Sequence, residues 1–283
     1  MLKEKNILIT GGSLGLGFAS AKACLEQGAS VLICARNEET VHEAVCSLKK
    51  EGFSRIEGET CNVTCASDIE KALQHLESSF GPLHGVIHAA GIYGAIGSIT
   101  EVDPEEWFEG VKTNLFGSFL VAKLCCQRLQ KLGGGRIVLF SGGGAASPFP
   151  NYTSYACGKA GVVRLCETIA EEMAPYNIEV NCLAPGFVVT RLHLQTLKAP
   201  EKAGAKFLEK TKLEIEKGGV PAELGAGAAA FLVSDEARGI SGKFISAPYD
   251  NWKNLTKHLK ELADSDLFTL RRIIPKDRGF SWQ

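Results

Sequence analysis

The stretch Thr10-Gly11-Gly12-Ser13-Leu14-Gly15-Leu16-Gly17 constrains this chain more than any other. It follows the apolar run Ile7-Leu8-Ile9 and leads into a helical pattern through Phe18, Ala19, Ala23 and Leu25, so it reads as strand, glycine turn, helix. Glycines admit positive φ and close approach of a ligand, and the first free N–H groups of a helix present partial positive charge. The expected guest is a dinucleotide diphosphate. The bland alternative is a turn that is tight only for packing.

The rest of the chain repeats the same rhythm. Ser30-Val31-Leu32-Ile33-Cys34 reads as a second buried strand and Glu38 to Lys50 as an amphipathic helix, followed by a strand from Arg55 to Thr60. Ser67-Asp68-Ile69-Glu70 has capping-box spacing and predicts a helix start. Further strands are expected at Leu83 to Ile87, Arg136 to Phe140, Ile178 to Leu183 and Lys243 to Ala247. Asp103-Pro104-Glu105-Glu106 predicts the start of a long helix to Leu132. Alternating strands and helices imply an α/β fold, a Rossmann-type doubly wound parallel sheet with helices on both faces.

The chain of 283 residues, 45% hydrophobic, can bury the core of one such domain. Its 31 basic and 32 acidic residues leave a net charge of -1, which gives no global field for nucleic acid or an anionic membrane surface. No apolar run has membrane-span length and the start lacks a signal-peptide pattern, so a cytoplasmic protein is expected. The ten cysteines, among them Cys24, Cys34, Cys46, Cys166 and Cys182, lack metal-type spacing and read as free thiols; no metal is expected.

The second strand ends at Ala35-Arg36-Asn37, where the adenosine ribose of a dinucleotide would lie. A carboxylate there would take ribose hydroxyls; Arg36 instead suits a 2′-phosphate, which favours NADP(H), with NAD less expected. Arg36 beginning a solvated helix is the competing reading.

The glycine spacing T-G-x-x-x-G-x-G resembles the compact branch of the short-chain dehydrogenase/reductase family, and the resemblance covers about residues 3 to 247. It implies cofactor contacts at Thr10, Gly11, Ser13, Leu14, Gly15, Leu16 and Gly17. Asn62-Val63 resembles the family's Asp-Val pair at the adenine, with Asn62 accepting through its amide oxygen. His88-Ala89-Ala90-Gly91 resembles the family's Asn-Asn-Ala-Gly segment, which puts Ala89, Ala90 and Gly91 beneath the cofactor. Ala184-Pro185-Gly186-Phe187-Val188-Val189-Thr190 resembles its Pro-Gly turn, which implies contacts from Pro185, Gly186 and Val188 and a Thr190 bond to the nicotinamide carboxamide.

Ser141 ends a strand, and Tyr155 and Lys159 share one helix face. With an ammonium within a helical turn, the Tyr155 phenol is expected to titrate closer to neutrality. Tyr155 would then exchange the proton of a carbonyl or alcohol oxygen, and Ser141 would stabilise the charge on it. Both Tyr155 and Lys159 also count as cofactor contacts. By resemblance Asn114, in Thr-Asn-Leu-Phe-Gly, is the fourth catalytic residue and anchors a water joined to Lys159. His84 and His88 are left outside the chemistry as structural residues.

The leading expectation is an NADPH-dependent carbonyl reductase. Its rivals are a cofactor-sensing regulator without chemistry and a nucleotide-sugar-modifying member of the family, the latter disfavoured by the glycine spacing.

The expected organisation is a catalytic domain over 1–248, a helical substrate lid at about 190–219 and a C-terminal extension over 249–283. In that extension Trp252, Leu255, Leu259 and Leu262 share one helical face, and Asp264-Ser265-Asp266 can cap a second short helix. The basic group Arg271, Arg272, Lys276 and Arg278 either is solvated or reaches an active-site mouth. Phe116, Phe119, Leu120, Val162, Val163 and Leu165 suggest surplus apolar helix surface, hence a homodimer or homotetramer.

Overall fold

Seven strands form one parallel sheet in the computed structural model, which describes residues 2–282. They are β1 (Asn6–Thr10), β2 (Ser30–Ala35), β3 (Ile56–Thr60), β4 (Gly85–His88), β5 (Gly135–Phe140), β6 (Ile178–Ala184) and β7 (Phe244–Ser246), in the order β3-β2-β1-β4-β5-β6-β7. The chain reverses its direction of winding between β1 and β4, where Thr10 lies opposite His88. That crevice at the carboxyl ends of the strands is where ligands of open α/β sheets bind.

Both sheet faces are covered, which is why the strands read as continuous apolar runs and not as alternating ones. Ile7, Ile9, Val31 and Ile33 pack with α1 (Gly15–Glu26), α2 (Glu38–Lys50) and a later helix over Ala222–Leu232. Leu8, Leu32, Val86 and Ile137 face the other way, toward α3 (Ala66–Phe80) and two longer helices that follow. The α3 start differs from expectation. No side chain caps it and it begins at Ala66: Glu70, the far end of the expected box, pairs with Arg128, and Ser67 Oγ lies 3.1 Å from Cys65 Sγ.

The expected long helix from Asp103 is present in three parts: α4 (Pro104–Val111), a π-helical turn over Lys112–Phe116, and α5 (Gly117–Leu132). Asp103 caps it by accepting from the amides of Glu105 and Glu106 at 3.0 and 2.8 Å. After β5 comes α6 (Thr153–Met173) and after β6 come α7 (Arg191–Lys198), α8 (Ala205–Glu216) and α9 (Ala222–Leu232). Of the helix surface expected to be surplus, Val162 and Val163 are fully buried in the sheet core and Leu120 is also buried; Phe116 and Phe119 are exposed. The α6 half of that expectation is therefore corrected.

The chain after β7 lies on the body. Trp252, Leu255 and Leu262 are buried against the α9 side of the sheet, but through a 3₁₀ segment over Trp252–His258 and a single α-turn, α10 (Leu259–Ala263). The second helix expected after Asp264 does not form. Instead the Phe268 carbonyl accepts the Phe244 N–H of edge strand β7 at 2.7 Å, the Leu270 N–H donates to Glu167, and the Asp266 carboxylate pairs with Arg271. A turn with Phe268 at φ +58° covers the sheet edge and satisfies groups that a helix would have left open. Among the described residues no helix is long and apolar enough to cross a membrane.

Candidate active site

The glycine turn places α1 so that its first turn is open. Leu14 is the N-cap and no side chain bonds the free amides behind it. Gly15 has φ +54°, and a Cβ on Gly17 would stand 2.1 Å from the Gly11 carbonyl oxygen, so only glycine lets the turn close this tightly. Ser13 accepts a 3.3 Å hydrogen bond from Thr40, joining the turn to α2, whose N-cap is Asn37. Behind the turn, Thr10 Oγ1 and His88 Nδ1 are 2.7 Å apart and both residues are buried. Burial and the charge of Lys159 push the His88 ring down to about 3, so it stays neutral. His84 is also structural: its Nδ1 accepts the Asn6 N–H at 3.1 Å.

Over this turn opens a cleft of about 590 Å³, lined by Gly11, Ser13 to Gly17, Ala35 to Asn37, Ala89 to Ile92 and Thr190 to Leu192, among others. Arg36 stands at the β2 end of it and Thr190 at the other. Pro185, Gly186 and Val188 do not line it; Val188 is buried and Gly186 packs near Pro248 and Val220. Asn62 also differs from expectation. Its amide oxygen accepts from the N–H and hydroxyl of Thr64 at 3.1 and 3.0 Å, and its neighbours Cys61 and Val63 line the cleft in its place.

Beside the cleft the four candidate catalytic side chains come from three elements. Ser141, directly after β5, donates to the Lys159 carbonyl at 3.1 Å, and Lys159 Nζ donates to the Phe140 carbonyl at 2.8 Å. Asn114, buried in the π-helical turn, accepts the Ile92 N–H at 3.1 Å and donates to the Ile92 carbonyl at 2.7 Å. Asn114 and Lys159 meet at Gly91: a Cβ there would lie 2.9 Å from Asn114 Oδ1 and 3.3 Å from Lys159 Nζ. A Cβ on Gly142 would likewise lie 2.8 Å from the Tyr155 hydroxyl, so the phenol oxygen and Ser141 are neighbours.

The electrostatics correct one expectation. Burial pushes Tyr155 up to about 12, and burial pushes Lys159 down to about 8. The ammonium lies 5.8 Å from the centre of the phenol ring and is bonded to a carbonyl, so it does not outweigh the loss of water around the hydroxyl.

The model of the short chain dehydrogenase family matches residues 5–201. The chain belongs to that family. The human "Dehydrogenase/reductase SDR family member 4" is 33% identical over 244 residues, 86% of each chain, and the Caenorhabditis elegans protein of that name is 30% identical over 85% of this chain and 92% of its own. Among solved structures, levodione reductase superposes with a TM-score of 0.80 at 25% identity, covering 91% of this chain and 99% of that one. Actinorhodin polyketide ketoreductase with NADPH gives 0.78 at 25% identity over 87% and 97%.

Sequence reasoning missed the aromatic wall of this short-chain dehydrogenase. Tyr93 and Tyr152 are buried, and Tyr93 stands edge-on to Tyr155 at 5.0 Å, with Phe149, Phe207, Leu192 and Leu208 around them. The run Pro148-Phe149-Pro150-Asn151-Tyr152 was the available signal. Thr40, Cys61, Ile92, Thr113 and Arg191, which line the cleft, were also missed. Among the described residues no three His, Cys, Asp or Glu side chains are grouped to hold a metal ion.

Proposed function

We propose that this chain is an NADP(H)-dependent oxidoreductase that reduces a ketone or aldehyde to the alcohol, reversibly, using Ser141, Tyr155, Lys159 and Asn114. The observation that carries the reading is the meeting of these four side chains beside the cleft over the glycine turn. The cleft suits a dinucleotide: the α1 amides are uncapped, Gly17 admits close approach, and no carboxylate lines it. Arg36 favours the 2′-phosphate. When bound, the nicotinamide would supply or take up the hydride.

The chain's own residues do the rest. In reduction the Tyr155 phenol, held protonated by burial, donates its proton to the carbonyl oxygen. Ser141 turns its hydroxyl to the same oxygen and stabilises the charge that grows there. Lys159 supplies the positive charge that favours the phenolate left behind, and Asn114 holds the loop after β4 at Ile92 and the water path to Lys159. The segment 190–219 acts as the substrate lid, since Leu192, Phe207 and Leu208 pack against the same Tyr93, Tyr152 and Ala203 cluster as Tyr155. Residues 249–282 belong to the body of the same subunit, and exposed Phe108, Phe116 and Phe119 form the homodimer or homotetramer contact.

A panel of carbonyl and alcohol compounds, offered with NADPH and NADH and followed by nicotinamide absorbance, tests the reading. Turnover with NADPH on at least one carbonyl is expected. Cofactor binding with no turnover across the panel would favour the cofactor-sensing alternative.

A further inference from the structure

The cleft over the glycine turn has two charged side chains in its lining, Arg36 and Arg191, and no Asp, Glu, Lys or His. Among the described residues neither makes an ion pair, whereas Arg128, Arg136, Arg164 and Arg271 are each paired with a carboxylate. Two exposed arginines lining one cleft that holds no acidic residue suit anionic groups at two places.

Their placement separates the two roles. Arg36 follows β2, beside Ala35 and Asn37. Arg191 is the first residue of α7 and follows Thr190, whose Cγ2 lies 3.4 Å from where a Cβ on Gly15 would stand. Gly15 begins the uncapped first turn of α1, so Arg191 is on the side of the cleft where phosphate would meet those amides.

We propose that Arg191 binds the diphosphate of the dinucleotide and thereby ties the lid to the bound cofactor. The inference rests on the cofactor reading above. Its consequence follows from the next residues: Leu192, Phe207 and Leu208 pack against the cluster of Tyr93, Tyr152 and Ala203, on which Tyr155 also packs, so a lid held at Arg191 is set over that cluster by the cofactor.

The test is fluorescence titration of wild type, Arg191→Ala and Arg191→Lys with NADPH and with NADH, combined with hydrogen exchange over residues 191–217 with and without NADP⁺. Both cofactors carry the diphosphate, so Arg191→Ala should weaken them by the same factor, about tenfold or more for a charge-assisted pair. Arg191→Lys should fall between, and the protection that NADP⁺ confers on 191–217 in wild type should vanish in Arg191→Ala. Affinities that stay within about twofold would overturn the inference, as would a loss confined to NADPH or lid protection that survives in the variant. Wild type that binds neither dinucleotide would overturn the cofactor reading, and this inference with it.

Discussion

Lys159 donates its Nζ proton to the carbonyl oxygen of Phe140 at 2.8 Å, one residue before Ser141, and both groups are buried. The ammonium is thus anchored to the strand end that carries the serine, and the absence of water around it brings its titration down to about 8 from the ordinary lysine value of 10.5.

Two pH effects follow. Lys159 carries its charge below about 8 and loses it above, so kcat/KM for carbonyl reduction should fall as pH rises past that point. The contribution of Lys159 to stability should move the other way: between about 8 and 10.5 the unfolded chain binds the proton that the folded chain has released, so this contribution rises with pH there. Urea denaturation should show wild type gaining on Lys159→Met across this range, on a background that falls for both above about 9 because buried Cys24 and Cys126 keep protons that the unfolded chain loses.

No limb near pH 6.5 is expected from His88. It is neutral down to about 3, and its hydrogen bond with Thr10 is structural. His88→Ala leaves the Thr10 hydroxyl without its partner and should cost about 1–3 kcal/mol in urea denaturation. A rate limb near neutrality that disappears in His88→Asn would give this residue a chemical role instead.

Arg36→Ala should weaken NADPH by roughly ten- to a hundredfold and NADH hardly at all, since a bidentate pair with phosphate contributes on the order of 1.5–3 kcal/mol. Equilibrium titration with both cofactors decides it; equal losses would make Arg36 a general contact.

Trp252 is buried against Phe231, with its indole N–H donating to the Ala247 carbonyl at 3.2 Å. Trp252→Ala should therefore cost about 3–5 kcal/mol, read from the urea midpoint. Removing residues 264–283 exposes the Phe244 N–H and leaves Glu167 without its Leu270 partner, so a lower melting temperature is expected. If the truncated chain also shows a large rise in substrate KM with unchanged cofactor affinity, the basic end contributes to the site.

What was legible in the sequence was local. The strand, turn and helix from Ile7 to Leu25 depend on neighbours in the chain, and so does the Tyr155 to Lys159 spacing. The π-helical turn at Asn114 was hidden because one widened turn leaves the apolar pattern of α4 and α5 intact. The helix expected from Ser67 forms, but without its capping box because Glu70 pairs with Arg128 from a distant helix, whereas the one expected after Asp264 does not form and Asp266 pairs with Arg271. Asn62 instead spends its oxygen on a local turn with Thr64, two residues on. Tyr93, Phe149, Tyr152 and Phe207 come together only when three segments fold over one another, and Arg191 enters the cleft only through the position of Thr190 above Gly15.

The central claim is that Tyr155 moves the proton. The direct measurement is NADPH consumption by wild type and Tyr155→Phe on the best carbonyl substrate, with NADPH affinity titrated in parallel. The account predicts equal affinity and a rate at least about a hundredfold lower in the variant, the size expected for a lost general acid. A variant that binds NADPH and keeps most of the wild-type rate would contradict it.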